Sequence, residues 1–583
     1  MVRTHSILTV LVCLLTSLPL FSPVAGAEVG LAVYRAGSLD GMSQAGLEQV
    51  INTPEVVYVL TQERPPARLI SEKTRQRYRQ LKKAGKKVIL DIFWGPDGDY
   101  DWDRFNFPDI CQDEKVRAEF FRQVVDEVLE AVGVENLYGV HLLEETGLWY
   151  GYEKTVHPYY RVPDWHTPSI RRYAGLLQQE TGLELALAPI WKQEERFAFW
   201  RWACRSISSA AGHRIFGQYL RRRYPGLKVF QFEGLPDVAS GQYCEYQTMI
   251  GSFDGIVTDN YSSPEATYWL VAYRTMAPAA EIVALVAGHF GTEGPEEKVA
   301  KIKEARLAAA VKAGMNGVGF FEPDEQRVKV MDYDQPDIWA FNVAAFNRVK
   351  RSVRAVEKKP LLLVPTNISV GGCGIHEYLP AAGLQNFALL PAAEFRLANP
   401  FDYEMVVIFG PNYFGKKATW DADYMKARYH VDSLFPSRTL NQFVEKGGLL
   451  VITGLPLEKG SGLFFTEENL LVGGEVVPGS EVLPDDWARQ NLRLKKSYGP
   501  IFPVSSYRYQ PGQEVRVLGE NVGFLLTRGQ GYCLVLPQRP GGRTSVTEQE
   551  RVNYGQFLRD ILAGLASYSR KTKLLNCFLP EKK

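Results

Sequence analysis

Acidic and aromatic residues close a series of short apolar runs in the first part of the chain, and that placement could do chemistry. Asp91 and Trp94 end one run and Glu144 with Glu145 the next, followed by Glu233, by Asp259 with Asn260, by His289 and by Glu322. No Lys or Arg occupies these positions. A ring of carboxylates with few cations suits neutral, hydroxyl-rich ligands and suits phosphates poorly. Two carboxyl groups in unlike surroundings can also divide the work of general acid and general base.

Alternation along a strand says which acids face a common interior, because successive side chains point to opposite faces. In Val140-His141-Leu142-Leu143-Glu144-Glu145 one face carries Val140, Leu142 and Glu144, and the other carries His141, Leu143 and Glu145. With the more apolar set against outer helices, Glu145 points inward with His141 beneath it, and Glu144 turns aside. The same rule sets Asp91 inward, and Gln231 with Glu233 inward, whereas Val318, Phe320 and Glu322 share a helix-directed face. Just after Glu145 come Trp149, Tyr150, Tyr152, Tyr159, Tyr160 and Trp165, rings suited to the apolar faces of sugars.

These residues need elements to hold them. Eight β-branched or apolar runs (29–34, 56–60, 88–94, 138–144, 229–233, 255–260, 282–287, 317–321) alternate with helical stripes such as 114–132 and 296–313. That pattern predicts an α/β fold, a (β/α)8 TIM barrel over residues 28–355, with a helical excursion between the fourth and fifth strands. A smaller α/β unit is expected over 356–583, from strands at 361–364, 405–409 and 449–453, a helix at 438–446 stopped by Gly447-Gly448, β-rich sequence around 523–537 and a final helix at 550–565. Residues 1–27, with Arg3, an apolar stretch and Ala25-Gly26-Ala27, read as a cleaved signal peptide, so the expected location is secreted or periplasmic with no stable membrane span.

Composition narrows the function classes. The 583 residues carry 67 Lys and Arg against 66 Asp and Glu, a net charge of +1 that provides no field for nucleic acid. Apart from Cys13, the cysteines (Cys111, Cys204, Cys244, Cys373, Cys533, Cys577) are scattered with no C-x-x-C pair, so they read as free thiols. The acidic stretch 97–103 fails as a calcium loop, since Trp102 stands where Gly is needed and Pro108 where Glu is needed. No metal and no cofactor is expected.

With these residues in hand, the chain resembles clan A glycoside hydrolases, above all the family 42 β-galactosidases. Glu144-Glu145-Thr146-Gly147 is similar to the Asn-Glu, aromatic residue and Gly that end their fourth strand, and 199–225 resembles the helix leading to their fifth. The resemblance implies Glu145 as acid/base, Glu144 in place of the Asn, a glutamine amidotransferase-like second unit, and an oligomer formed through it. That unit has no thiol after 449–453, and Cys373 has no base at hand, so Cys373 reads as structural. The family's nucleophile is a Glu ending the seventh strand, yet 284–290 contains no carboxylate. Hydrolysis of a glycoside needs two carboxyl groups, and the partner of Glu145 is open among Glu233, Glu322 and Asp259. The expected function is an exported glycosidase on an oligo- or polysaccharide, with Asp91, Trp94, Glu144, Trp149, Asp259, Asn260 and His289 as candidate substrate contacts. A non-catalytic carbohydrate-binding barrel and an envelope scaffold are the alternatives.

Overall fold

The computed structural model describes residues 28–35, 38–92, 105, 107–142, 175–176, 178–179, 211–233, 252–259, 268–287, 296–322, 336–353, 359–365, 382–390, 392–409, 435–453, 461–468, 471–477, 481–501, 504–509, 515–536 and 547–578. Eight parallel strands close a barrel in chain order: β1 (Gly30–Arg35), β2 (Val57–Glu63), β3 (Lys87–Ile92), β4 (Gly139–Leu142), β5 (Lys228–Glu233), β6 (Gly255–Asp259), β7 (Glu281–Ala287) and β8 (Gly317–Glu322). β8 pairs back onto β1, from Gly30 opposite Gly317 to Arg35 opposite Glu322. The expected (β/α)8 barrel is therefore the observed one.

The strands read as apolar runs because both faces are covered. Leu31, Val33, Val57, Val59, Val88 and Leu90 look outward into a shell with the helices, for example with Tyr78 and Leu81 of the helix Glu72–Lys83. Ser71 starts that helix by accepting from the Thr74 N–H at 3.0 Å, the usual way of satisfying a free helix N-terminus. Ala32, Tyr34, Tyr58, Leu60, Phe230 and Phe232 look inward and form a separate cluster inside the barrel.

The pairing register stacks the inward side chains in layers drawn from alternate strands. Lys87, Lys228 and Glu281 lie at the N-terminal end. Tyr58 comes next, in a layer with Gly139, Gly255 and Gly317. All three glycines are needed for space: a Cβ would come within 2.4 Å of Phe230 at Gly139, within 2.3 Å of it at Gly255 and within 2.8 Å of Tyr58 at Gly317. Above them sit Ala32, Ile89, Phe230 and Val283, then Leu60, His141, Val257 and Gly319. Tyr34, Asp91, Phe232 and Leu285 follow, and Gln62 shares the highest described layer with position 259.

A second, mixed sheet follows. Parallel strands β9 (Leu361–Pro365), β10 (Phe387–Leu389), β11 (Met405–Phe409) and β12 (Leu449–Thr453) are ordered β10-β9-β11-β12, then Gly531–Leu536, then Phe524–Arg528 and Val515–Val517 antiparallel. The helix Ser437–Glu445 ends at Gly447, whose φ of +95° is the left-handed turn expected of the Gly pair. The helix Glu548–Tyr568 opens with a capping box between Thr547 and Glu550, and its Tyr554 hydroxyl meets Thr453 Oγ1 at 3.2 Å. This sheet meets the barrel helix Tyr268–Met276, where the Leu389 N–H donates to Thr275 Oγ1 at 3.4 Å.

Candidate active site

A barrel of this kind works at the C-terminal ends of its strands if the other end is shut. Glu281 shuts it. One carboxylate oxygen accepts from Tyr58 and from Lys87, the latter at 3.1 Å, and the other accepts from Tyr138 at 2.6 Å and from Lys228 at 2.5 Å. Burial alone would raise the Glu281 pKa, but hydrogen bonds from Lys228, Tyr138 and Tyr58 and the charge of Lys87 outweigh it and bring the group to about 2. Two aromatic and aliphatic layers then separate this floor from the polar layers above.

Those polar layers run across four consecutive strands. Gln62 Nε2 donates to the Tyr34 hydroxyl at 2.7 Å and to Asp91 Oδ2 at 3.1 Å. Asp91 Oδ1 stands 3.4 Å from His141 Nδ1, with both side chains fully buried. Phe232 covers the imidazole from β5, with ring centroids 5.2 Å apart. Asp91 and His141 both face the interior, as alternation on β3 and β4 requires. Asp91 accepts from Gln62 on Oδ2 and is fully buried.

The fifth strand corrects the sequence reading. Phe230 and Phe232 belong to the interior cluster while Val229 belongs to the outer shell, so Gln231 and position 233 fall on the helix-directed face. Gln231 is buried there and donates to the Phe232 carbonyl at 3.2 Å. Alternation read Gln231 inward on β5, but aromatic rings fill the wide barrel interior better than the amide does. On β8, Val318 and Phe320 lie in the shell and Gly319 packs against Ala32, which puts position 322 on the helix-directed face. On β6, position 259 pairs with Leu285 of the interior cluster and shares its face. Trp94, Glu144, Glu145, Trp149, Asn260 and His289 lie outside the described residues.

Three residues of this region escaped the sequence reading. Tyr34 and Gln62 are inward-facing, but Gln62 lies beyond the run ending at Leu60 that was taken as the second strand; extending the alternation Tyr58, Leu60, Gln62 by one step finds it. Glu63 ends β2 on the outer side, where Ser38 Oγ donates to its Oε1 at 2.9 Å and the Tyr78 hydroxyl does so at 3.1 Å. Burial pushes its pKa up to about 7 against the pull of Ser38, Tyr78 and the Leu39 backbone, with Asp40 adding to the rise. Among the described residues no group of His, Cys, Asp and Glu is arranged to hold a metal ion.

No protein-family model and no curated protein sequence matches the chain. Solved structures do. A cold-adapted β-galactosidase from Rahnella sp. R3 superposes with a TM-score of 0.64 at 11% identity, over 94% of this chain and 89% of that one. A GH42 β-galactosidase from G. stearothermophilus gives 0.60 at 12% identity, over 92% and 85%. An α-L-fucosidase isoenzyme from Paenibacillus thiaminolyticus gives 0.53 at 12% identity, over 94% and 84%. The chain thus shares the fold of these proteins, a (β/α)8 barrel followed by a mixed-sheet unit.

Proposed function

We propose that the protein is an exported glycoside hydrolase acting on an oligo- or polysaccharide, with Glu145 as general acid/base and Asp259 as the second carboxylate. What supports the choice of partner is the strand register: position 259 pairs with Leu285 of the interior cluster, whereas position 233 pairs with Thr258, one residue out of phase with the interior-facing Val257. The shared fold supports the reaction class, since similar structures act on galactosides and on a fucoside, and the same spread argues that the fold does not set the sugar. Export rests on the leader at 1–27, and N-terminal sequencing of the mature secreted chain tests it.

In this reading Glu145 protonates the departing glycosidic oxygen while the second carboxylate activates a water or attacks the sugar. The experiment is turnover of a panel of glycosides by the mature chain and by Glu145→Gln and Asp259→Asn. Each variant is expected to lose about 100-fold to 10,000-fold in kcat with its melting temperature kept. Full activity of either variant removes that residue from the mechanism. A second reading, carbohydrate binding without hydrolysis, is favoured by β7, where the only carboxylate in Glu281–Ala287 is Glu281 in the floor. Sugar binding with no turnover across the panel would select it.

A further inference from the structure

Away from the rim, two cations lie at the seam between the barrel and the second sheet with no carboxylate beside them among the described residues. Arg274, on the helix Tyr268–Met276, donates from Nη1 to the carbonyls of Pro278 and Ala280, both at 2.9 Å, and from Nη2 to the Gly314 carbonyl and Asn316 Oδ1, both at 2.8 Å. All four acceptors are neutral, so the guanidinium is held in place without its charge being cancelled, and burial draws it down to about 10. Lys359 stands two residues before β9, level with Gln385 when the β9–β10 register is extended, and Gln385 accepts from Lys312 of the helix Glu296–Ala313 at 3.0 Å. Burial first, and then the charge of Arg274, lower the Lys359 ammonium to about 8, and it has no hydrogen-bond or ion-pair acceptor among the described residues. Glu404, next to the β11 partner of Leu361, turns elsewhere: its N–H donates to the Pro360 carbonyl at 2.8 Å, and its carboxylate lies 3.9 Å from Lys573.

Two like charges drawn out of water together are costly, and an anion that joins them lowers the cost. We propose that Lys359 and Arg274 form a binding site for a small, doubly charged oxyanion, sulfate or phosphate in kind, with Lys359 as the direct donor and Arg274 supplying charge from behind. The terminal N–H groups of Arg274 are all engaged and its Nε is buried, so only Lys359, which is partly exposed, can hydrogen-bond the ligand. Two cations without an acid match a divalent anion in charge, and chloride, with half that charge, is the weaker ligand. Arg274 belongs to the barrel and Lys359 opens the second unit, so the bound anion strengthens the seam where the Leu389 N–H already meets Thr275. The site is independent of the reaction at the rim.

Isothermal titration of the full chain with sodium sulfate and, separately, sodium phosphate, each against sodium chloride at equal ionic strength, tests the site. At least one of the two oxyanions is expected to bind where chloride does not, and the tighter of them names the natural source. Lys359→Met removes a poorly solvated charge while keeping most of the side chain's bulk, so it is expected to fold and to bind the oxyanion about 10-fold more weakly. Lys359→Arg, which keeps the charge, is expected to recover most of the affinity. Native and Lys359→Met chains that respond alike to all three salts overturn the proposal. A second measurement needs no variant: acetylation of the lysines at pH 7, read by mass spectrometry, is expected to slow at Lys359 when sulfate or phosphate is added and not when chloride is. A Lys359 that reacts at the same rate in all three salts overturns the site, because its charge is then relieved by loss of the proton and not by an anion.

Discussion

At the N-terminal end of the barrel one carboxylate, Glu281, meets two lysines and two tyrosines; at the other end Glu63 is buried against hydroxyls and a backbone N–H. The first is drawn down to about 2 and the second pushed up to about 7. Both are Glu at strand ends of the same barrel, so residue type does not explain the difference. What differs is the company. Ion pairing at the floor makes the charged form the stable one, and burial without a facing cation near the rim favours the neutral acid. Glu63, on the outer face of β2, is thus held as a neutral acid near neutral pH by its burial, not by its strand end.

The sharpest test of that division exchanges the two ends. Glu145→Gln is expected to cost kcat about 1,000-fold with little change in stability. Glu281→Ala should do the reverse: it strands Lys87 and Lys228, which are 30% and 40% exposed, and is expected to lower unfolding free energy by about 2–3 kcal/mol in urea titrations. A floor variant that melts normally but loses activity would break the comparison.

The pH dependence of stability carries opposite signs at the two ends. Glu281 is lowered from 4.5 to about 2, so its contribution is complete above pH 4.5 and is lost as pH falls toward 2, by about 2 kcal/mol after allowing for partial exposure. Glu63 is raised from 4.5 to about 7, so its contribution is complete below pH 4.5 and is lost as pH rises through 7, by about 3 kcal/mol. Chemical denaturation from pH 4 to 8 is expected to show the second slope in the native chain and a flatter one in Glu63→Gln. An equal slope in both chains would assign it to other groups.

The smallest expected effect lies between the ends. Gly139→Ala sets a methyl group against Phe230 in the layer that separates floor from site. The expected cost is about 1–2 kcal/mol, and a loss confined to stability, with the pH profile of activity unchanged, would keep that layer as a partition only.

Much of the fold was legible in order along the chain. The apolar runs that became β1 to β8 are continuous because parallel strands are covered on both faces, and composition and period alone reveal such runs. Their ends were less legible. Lys87, Lys228 and Glu281 each stand one residue before the run that was read, since a lone charge looks like a loop until its partners on other strands are known. Gln62 and Glu63 were lost at the other end of β2 for the same reason.

Alternation then separated what one strand can say from what it cannot. On β3 and β4 it put Asp91 and His141 inward, where they are found, because Leu90, Val140 and Leu142 marked the outer face. On β5 it put Gln231 inward and was wrong, since in the closed barrel the interior between Tyr34 and His141 has room for the Phe232 ring. The sequence by itself therefore determined the barrel, its strand order and the acidic character of its C-terminal end, all properties of local pattern. The tertiary structure decided which strand faces line the interior and which proton states Glu281 and Glu63 favour, because facing and pKa depend on residues far away in sequence that the barrel's closure brings within a few ångströms.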